Sequence, residues 1–317
     1  MTRENIEISV VVPVYNSSAT LRELNRRLIH TLIELVADRY EILYINDGSR
    51  DDSWRILGEL TMENGNLTAV NLTRNFGQHN AIMCGFSEAA GNYIITIDDD
   101  LQLPPEEIAA LYREIQNGHD IVYGLYRQKK HSVFRNLGSE FVQFVYMRTF
   151  DTDIRLTSFR IIRREIISKI LSYEKSFTFI DGLISWYTSN IGKVYVEHHE
   201  RKIGKSGYSL KRLIVLSLNM LTNFSIVPVQ IASLIGILFS LTGFLAGFLF
   251  FCKKLFFDVP VSGFTALIVT VTIFSGVQLL TLGILGEYIS RIHINVNNRP
   301  QYAVREIAAL HRKPEAR

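Results

Sequence analysis

The stretch "YIITIDDDLQLPPEEI", residues 93–108, sets an uncharged, isoleucine-rich run directly against three consecutive aspartates. β-Branched residues favour strands and Asp is depleted from them, and neighbouring carboxylates repel. The run therefore reads as a buried strand that ends where the acidic residues begin, with two prolines and a helix-like segment beyond. Side chains alternate along a strand. If extended geometry continues through the run, Asp98 and Asp100 share one side and Asp99 takes the other. Two carboxylates at a strand end form a hard-oxygen site suited to Mg²⁺ or Mn²⁺, held together with substrate phosphates. The competing reading is an acidic cluster at a helix start, where Asp is common.

Around this stretch, strand-like and helix-like segments alternate. Strands are predicted at Glu7–Tyr15, Tyr40–Asp47, Leu67–Thr73, Asn92–Asp98 and Asp120–Tyr126. Helices fit between them, at about Ser18–Ala37, Asp52–Glu63, Gln78–Ala90 and Pro105–Asn117. Repeated strand–helix units predict an α/β fold, a mainly parallel sheet with helices on both faces. "VVVPV" and "YIITI" are apolar on both sides of the pleat, as central parallel strands are. Ligands of such sheets bind at the carboxyl ends of the strands. Here those ends carry "PVYNSS", "NDGSRDDS", "TRNFGQHN" and "DDDLQ".

The last third of the chain differs. From Leu213 to Cys252, and again from Val259 to Gly286, there is no Asp, Glu, Lys, Arg or His. A spanning helix needs about 20 such residues. Two spans are predicted, Val229–Phe251 and Phe264–Leu285, with "CKKLFFDVPVSG" as the turn and Pro228 marking a break. Tyr208–Phe224 mixes Lys211 and Arg212 with Leu and Ile, as an interfacial helix does. Arg291, Arg299, Arg305, Arg312 and Lys313 follow the hairpin, so the positive-inside rule puts the tail and the large domain in the cytosol. The expected domains are 1–207 (catalytic), 208–225 (interfacial), 226–290 (two spans) and 291–317 (tail). No signal peptide is read at the start. A net charge of +3 does not argue for nucleic acid. Cys84 and Cys252 are far apart and lack metal-ligand spacing, so they read as reduced thiols.

"VVVPVYN" (10–16), "NDGSRDDS" (46–53), "NLTRNFGQHNAIMCGF" (71–86) and "IDDDLQLPPEEI" (97–108) occur in one order and spacing. Together they resemble the family-two glycosyltransferases of the GT-A fold, and among them the polyprenyl-phosphate glycosyltransferases. The resemblance continues through "YRQKKHSVFRNLGS", "TSFRIIRREI", "HERKIGKSGYSLKRL" and "GEYISRIHINVNNRPQY". It implies transfer of a sugar from a nucleotide sugar, UDP-linked by preference, to a lipid phosphate at the inner membrane; inversion is expected because no residue stands poised for a covalent intermediate. It also implies a homotetramer. By that resemblance Pro13, Tyr15 and Asn16 line the nucleotide pocket and Asp47 holds the base or ribose. Asp98 and Asp100 hold the metal and diphosphate, Gln102 lies near the diphosphate, and Asp99 is a ribose or metal-shell candidate. Arg127, Arg135 and Ser139 match the positions that hold the lipid phosphate, with Arg160, Arg201 and Lys205 as further candidates. The sequence departs from the family pattern at Ser17, where Glu is frequent, and at Asn46, where Asp is frequent.

The chemistry is consistent with these residue types. A phosphate monoester has a second pKa of about 6, so the acceptor attacks as an anion and needs little general base. What it needs is cations, and Arg suits phosphate through paired charge-assisted bonds. His79 reads as a helix-start residue near the donor. The aromatic segment Phe134–Phe150 and Tyr208–Phe224 are expected to cradle the first isoprenes. Two other functions compete with this one. A processive polysaccharide synthase would carry a Gln-x-x-Arg-Trp motif, which is absent. A membrane scaffold with a dead transferase domain would not need the acidic run.

Overall fold

The computed structural model describes residues 5–125, 157–175, 178–197, 227–256, 263–297 and 299–310. Its described residues form two compact units.

The first unit is built on one eight-stranded sheet. β1 (Ile8–Val14), β2 (Tyr40–Asn46), β3 (Leu67–Leu72) and β4 (Tyr93–Thr96) pair in parallel, with β1 between β2 and β4 and β3 outside β2. Every residue of β1 is buried, which is what "ISVVVPV" predicts for a strand covered on both faces. Pro13 lies within it, two residues beyond Val11, the last residue paired with β4. A proline therefore costs no ladder bond on that side.

The covering helices are α1 (Leu21–Val36), α2 (Ser53–Glu63), α3 (Gln78–Glu88) and α4 (Ile108–Ile115), the last preceded by a single 3₁₀ turn at Pro105–Glu107. In α1 the leucines at 21, 24, 28 and 32 recur at helical spacing and share a core with Val10, Val12 and Val14. Val11 points to the opposite face. There α3 lies so close that a Cβ on Gly85 would sit 2.2 Å from Val11 Cγ1.

Beyond β5 (Ile121–Leu125) the sheet stops being parallel. β6 (Arg160–Arg163) runs antiparallel to both β4 and β5, and leads into α5 (Arg164–Leu171), α6 (Ile180–Tyr187) and β7 (Ile191–Tyr195). β7 pairs in parallel with β5 at one edge. The other edge is closed by β8 (Val304–Ala309), antiparallel to β3. The tail was expected only to trail in the cytosol; instead it supplies a strand.

The second unit holds α7 (Val227–Phe256) and α8 (Phe264–Val296). Both are long and apolar enough to cross a membrane. Their large side chains are on the surface, with Leu241 61% exposed, Phe244 75% and Leu279 68%. A surface this apolar associates with lipid. Pro228 falls in the first turn of α7, where its missing N–H is not needed. The helices meet where Gly243 admits the Phe274 ring and Phe239 packs edge-on against it at 5.9 Å. Cys84 and Cys252 are both free thiols. The predicted interfacial segment Tyr208–Phe224 and the aromatic segment Phe134–Phe150 lie outside the described residues.

Candidate active site

The acidic run sits at the carboxyl end of β4, but not in extended form. β4 ends at Thr96, Asp99 and Asp100 form a turn, and Leu101 follows in the left-handed region at φ 57°. The alternation expected of the three aspartates is therefore replaced by separate partners for each. Asp98 Oδ1 accepts from Gln78 Nε2 at 2.7 Å and Oδ2 from Ser158 Oγ at 2.5 Å. Asp99 Oδ2 accepts from the Tyr15 backbone N–H at 3.1 Å. Asp100 Oδ1 accepts from the Gln102 N–H at 3.1 Å. Desolvation pushes the Asp99 pKa up to about 7, with the Asp98 and Asp100 charges adding to it. Desolvation of the middle carboxylate favours its protonated form, which lessens the repulsion among the three.

The loop after β1 wraps this turn. Asn16 is left-handed at φ 55°. Its N–H donates to Ser49 Oγ at 3.0 Å and its Oδ1 accepts from the Arg50 N–H at 2.8 Å. Thr20 Oγ1 donates to the Asp99 carbonyl at 2.6 Å. Tyr15 is 48% exposed above the acidic turn. The loops after β2 and β3 touch at Gly48, where a Cβ would lie 2.6 Å from the Arg74 and Asn75 backbone. Only glycine combines that approach with φ +66°.

Three expected contacts are placed differently. Asp47 is 3% exposed, and its carboxylate accepts from the Phe76 and Gly77 N–H groups at 2.6 and 2.9 Å. Burial raises its pKa while those bonds oppose the rise. It shapes the loop after β3 rather than presenting itself to a base. Pro13 is buried inside β1 and reaches no open surface. Arg160 is 1% exposed and ion-paired with Asp181 of α6, so its charge is matched inside the protein rather than offered to a lipid phosphate. Its Nε donates to Thr96 Oγ1 at 3.2 Å, and Tyr123 OH donates to Asp181 at 2.9 Å. Thr96 in turn donates to the Ser158 carbonyl. A buried polar layer thus runs from Asp181 to the residue that holds Asp98. Arg127, Arg135, Ser139, Arg201 and Lys205 lie outside the described residues.

Sequence reasoning passed over Gln78, Ser158 and Asp181. Gln78 and Ser158 stand inside the quoted "NFGQHN" and "TSFR", yet a neutral side chain shows no role until its partner is placed. His79 packs edge-on to Phe179 at 5.2 Å, and desolvation pushes its pKa down to about 4. It is a neutral imidazole at pH 7.

Among the described residues no three His, Cys, Asp or Glu side chains converge as a metal cage. Asp98 and Asp100 nevertheless fit a divalent ion of the hard type, which takes one or two carboxylates and fills the rest of its shell with phosphate oxygens and water.

Residues 9–171 match the sequence pattern of Glycosyl transferase family 2. The chain is 38% identical over 98% of its length, and 95% of the relative's, to an undecaprenyl-phosphate 4-deoxy-4-formamido-L-arabinose transferase of Klebsiella pneumoniae. It is 35% identical over 98% of its length, and 96% of the relative's, to the uncharacterised glycosyltransferase YkcC of Bacillus subtilis. Among solved structures, glucosyl-3-phosphoglycerate synthase of Mycobacterium tuberculosis, crystallised with Mn²⁺, UDP and phosphoglyceric acid, superposes with a TM-score of 0.51 at 19% identity, covering 68% of this chain and 76% of that one.

Proposed function

This chain belongs to glycosyl transferase family 2, and on that premise we propose that it transfers a sugar from a nucleoside diphosphate, UDP by preference, to undecaprenyl or a related polyprenyl phosphate at the cytosolic face of the inner membrane. The observation that carries the acceptor is the end-to-end similarity to a transferase named for undecaprenyl phosphate. Two long apolar helices in the same chain supply a means of meeting such a lipid.

The donor diphosphate would lie over the acidic turn, against Asp98 and Asp100, with Tyr15 and Asn16 beside it. Mg²⁺ or Mn²⁺ bound there would neutralise charge growing on the leaving diphosphate. Gln78 and Ser158 orient Asp98, and the Gln102 N–H orients Asp100. The phosphate oxygen of the lipid attacks the sugar's anomeric carbon, the bond to the nucleoside diphosphate breaks, and one displacement inverts that centre. The acceptor is mostly dianionic at pH 7, which leaves no task for a strong base and agrees with a neutral His79. Arg127, Arg135 and Ser139 are assigned to the lipid phosphate, with Arg201 and Lys205 nearby in role. We assign two spans to the membrane and expect a homo-oligomer, tetrameric by family resemblance.

The test is reconstitution. The full chain in nanodiscs, with Mn²⁺ or Mg²⁺ and undecaprenyl phosphate, is offered a panel of UDP-sugars, including UDP-4-deoxy-4-formamido-L-arabinose. Release of UDP that requires the lipid, together with a glycosylated lipid by mass, is the expected result. UDP release that ignores the lipid, or none with any donor, would overturn the acceptor assignment.

A further inference from the structure

The C-terminal segment after α8 returns to the sheet and lands on β3 and on the start of the loop between β3 and α3. β8 pairs with β3 with an irregularity at Asn71 and Leu72, and such bulges re-aim a side chain. Here the redirected Arg305 donates from Nη2 to the Thr73 carbonyl at 2.9 Å, while the Thr73 N–H donates to the Ala303 carbonyl at 2.9 Å. Both backbone groups of Thr73 are therefore held by the tail.

From Thr73 the loop continues through Arg74 and Asn75 against Gly48, then Phe76 and Gly77 on Asp47. It ends at Gln78, which bonds Asp98. A second line runs through side chains. Asn71 Nδ2 donates to Glu306 Oε1 at 2.9 Å, and Asn46 Nδ2 donates to Asn71 Oδ1 at 2.8 Å. Asn46 is 1% and Asn71 7% exposed, and Glu306, itself on the surface, supplies the acceptor at the outer end of this line. The tail is strapped further by Tyr302 OH on Ser87 Oγ at 2.9 Å, and by Gln301 Nε2 on the Tyr173 and Lys175 carbonyls at 2.7 and 2.9 Å.

We propose that residues 299–310 are a positioning element of the donor site, with Glu306 and Arg305 holding the Thr73–Gln78 loop in the shape that presents Asp98 and its neighbours to a nucleoside diphosphate. This rests on the donor reading given above. The tail touches no substrate; it acts through Asn71 and Thr73.

Glu306→Ala in the full chain tests it. UDP with Mn²⁺ is the calorimetric probe, and the KM for donor and for lipid phosphate are measured separately. The expected result is a UDP dissociation constant and a donor KM raised about tenfold, with the lipid KM unchanged. Glu306→Gln keeps an acceptor oxygen for Asn71 and is expected to restore binding. A chain ending at Pro300 is expected to lose more affinity, and a synthetic peptide of residues 299–310 to return part of it. If that truncated chain does not fold, Glu306→Ala decides. Wild-type UDP affinity in Glu306→Ala, or equal rises in both KM values, would overturn the proposal. Failure of the wild-type chain to bind UDP would instead sink the donor reading itself.

Discussion

At the scale of single residues, the acidic turn divides its labour. Asp98 is held by Gln78 and Ser158 and Asp100 by the Gln102 amide, while Asp99 accepts from the Tyr15 amide. Asp100→Ala is expected to cut kcat by about a hundredfold or more while leaving the melting temperature near that of wild type; turnover within a few-fold of wild type would remove Asp100 from the site. Two perturbed groups here also make opposite contributions to stability. Asp99, raised to about 7, binds its proton more tightly folded than unfolded. Its charged form costs stability above pH 7, and that cost disappears as pH falls toward 4. His79, lowered to about 4, binds its proton less tightly when folded. It costs nothing above its ordinary value of 6.5, and an increasing amount as pH falls toward 4. In metal-free buffer, Asp99→Asn should therefore gain stability over wild type most at pH 8 and lose the gain toward pH 4. His79→Gln should gain most at the acid end. Melting curves at several pH values read both differences, and parallel curves for wild type and variants would contradict the assignments.

At the scale of elements, the parts legible in the sequence were those with a local pattern. The five predicted strands through residue 126 and the four helices between them are present, each within a few residues of its expected ends, because apolar runs and helical spacing are set by near neighbours. β6, β7 and β8 were not read. "RIIR" is too short to show a period, and "VREIAA" borrows its burial from β3. Asp98 and Asp100 stood out as charges in an apolar setting, whereas Arg160 was misplaced because sequence gives no partner. Its partner, Asp181, is 21 residues away on a different element. Two packing experiments belong to this scale. Gly85→Ala drives a methyl into Val11 and should destabilise the sheet–α3 contact by about 1–3 kcal/mol, read by thermal melting. Arg160→Met leaves Asp181 charged and unpaired in the core, at about 3–5 kcal/mol. Adding Asp181→Leu should recover much of that loss; a double variant no more stable than the single would show that the pair is not the cause.

At the scale of the whole chain, the constraint is that a lipid phosphate and a nucleotide sugar must meet on one side of a bilayer. On the proposed reading, in which α7 and α8 each cross the bilayer, the polypeptide before α7 and after α8 lies on the same side. β8 requires that same arrangement by a separate route, since it follows α8 yet pairs with β3 of the first unit. A single crossing would put β8 and β3 on opposite faces of the membrane, where no ladder could form. We propose that charge orients the hairpin: Arg291 in the last turns of α8, with Arg299 and Arg305 beyond it, outweighs Lys253 and Lys254 near the turn. With Cys252 changed to Ser, Lys253→Cys is expected to react with a membrane-impermeant maleimide in intact spheroplasts. Arg299→Cys should react only after the membrane is opened. Labelling of both positions from one side would break the hairpin, and the reverse order would turn the sugar-transfer domain to the outer face, away from any cytosolic nucleotide sugar.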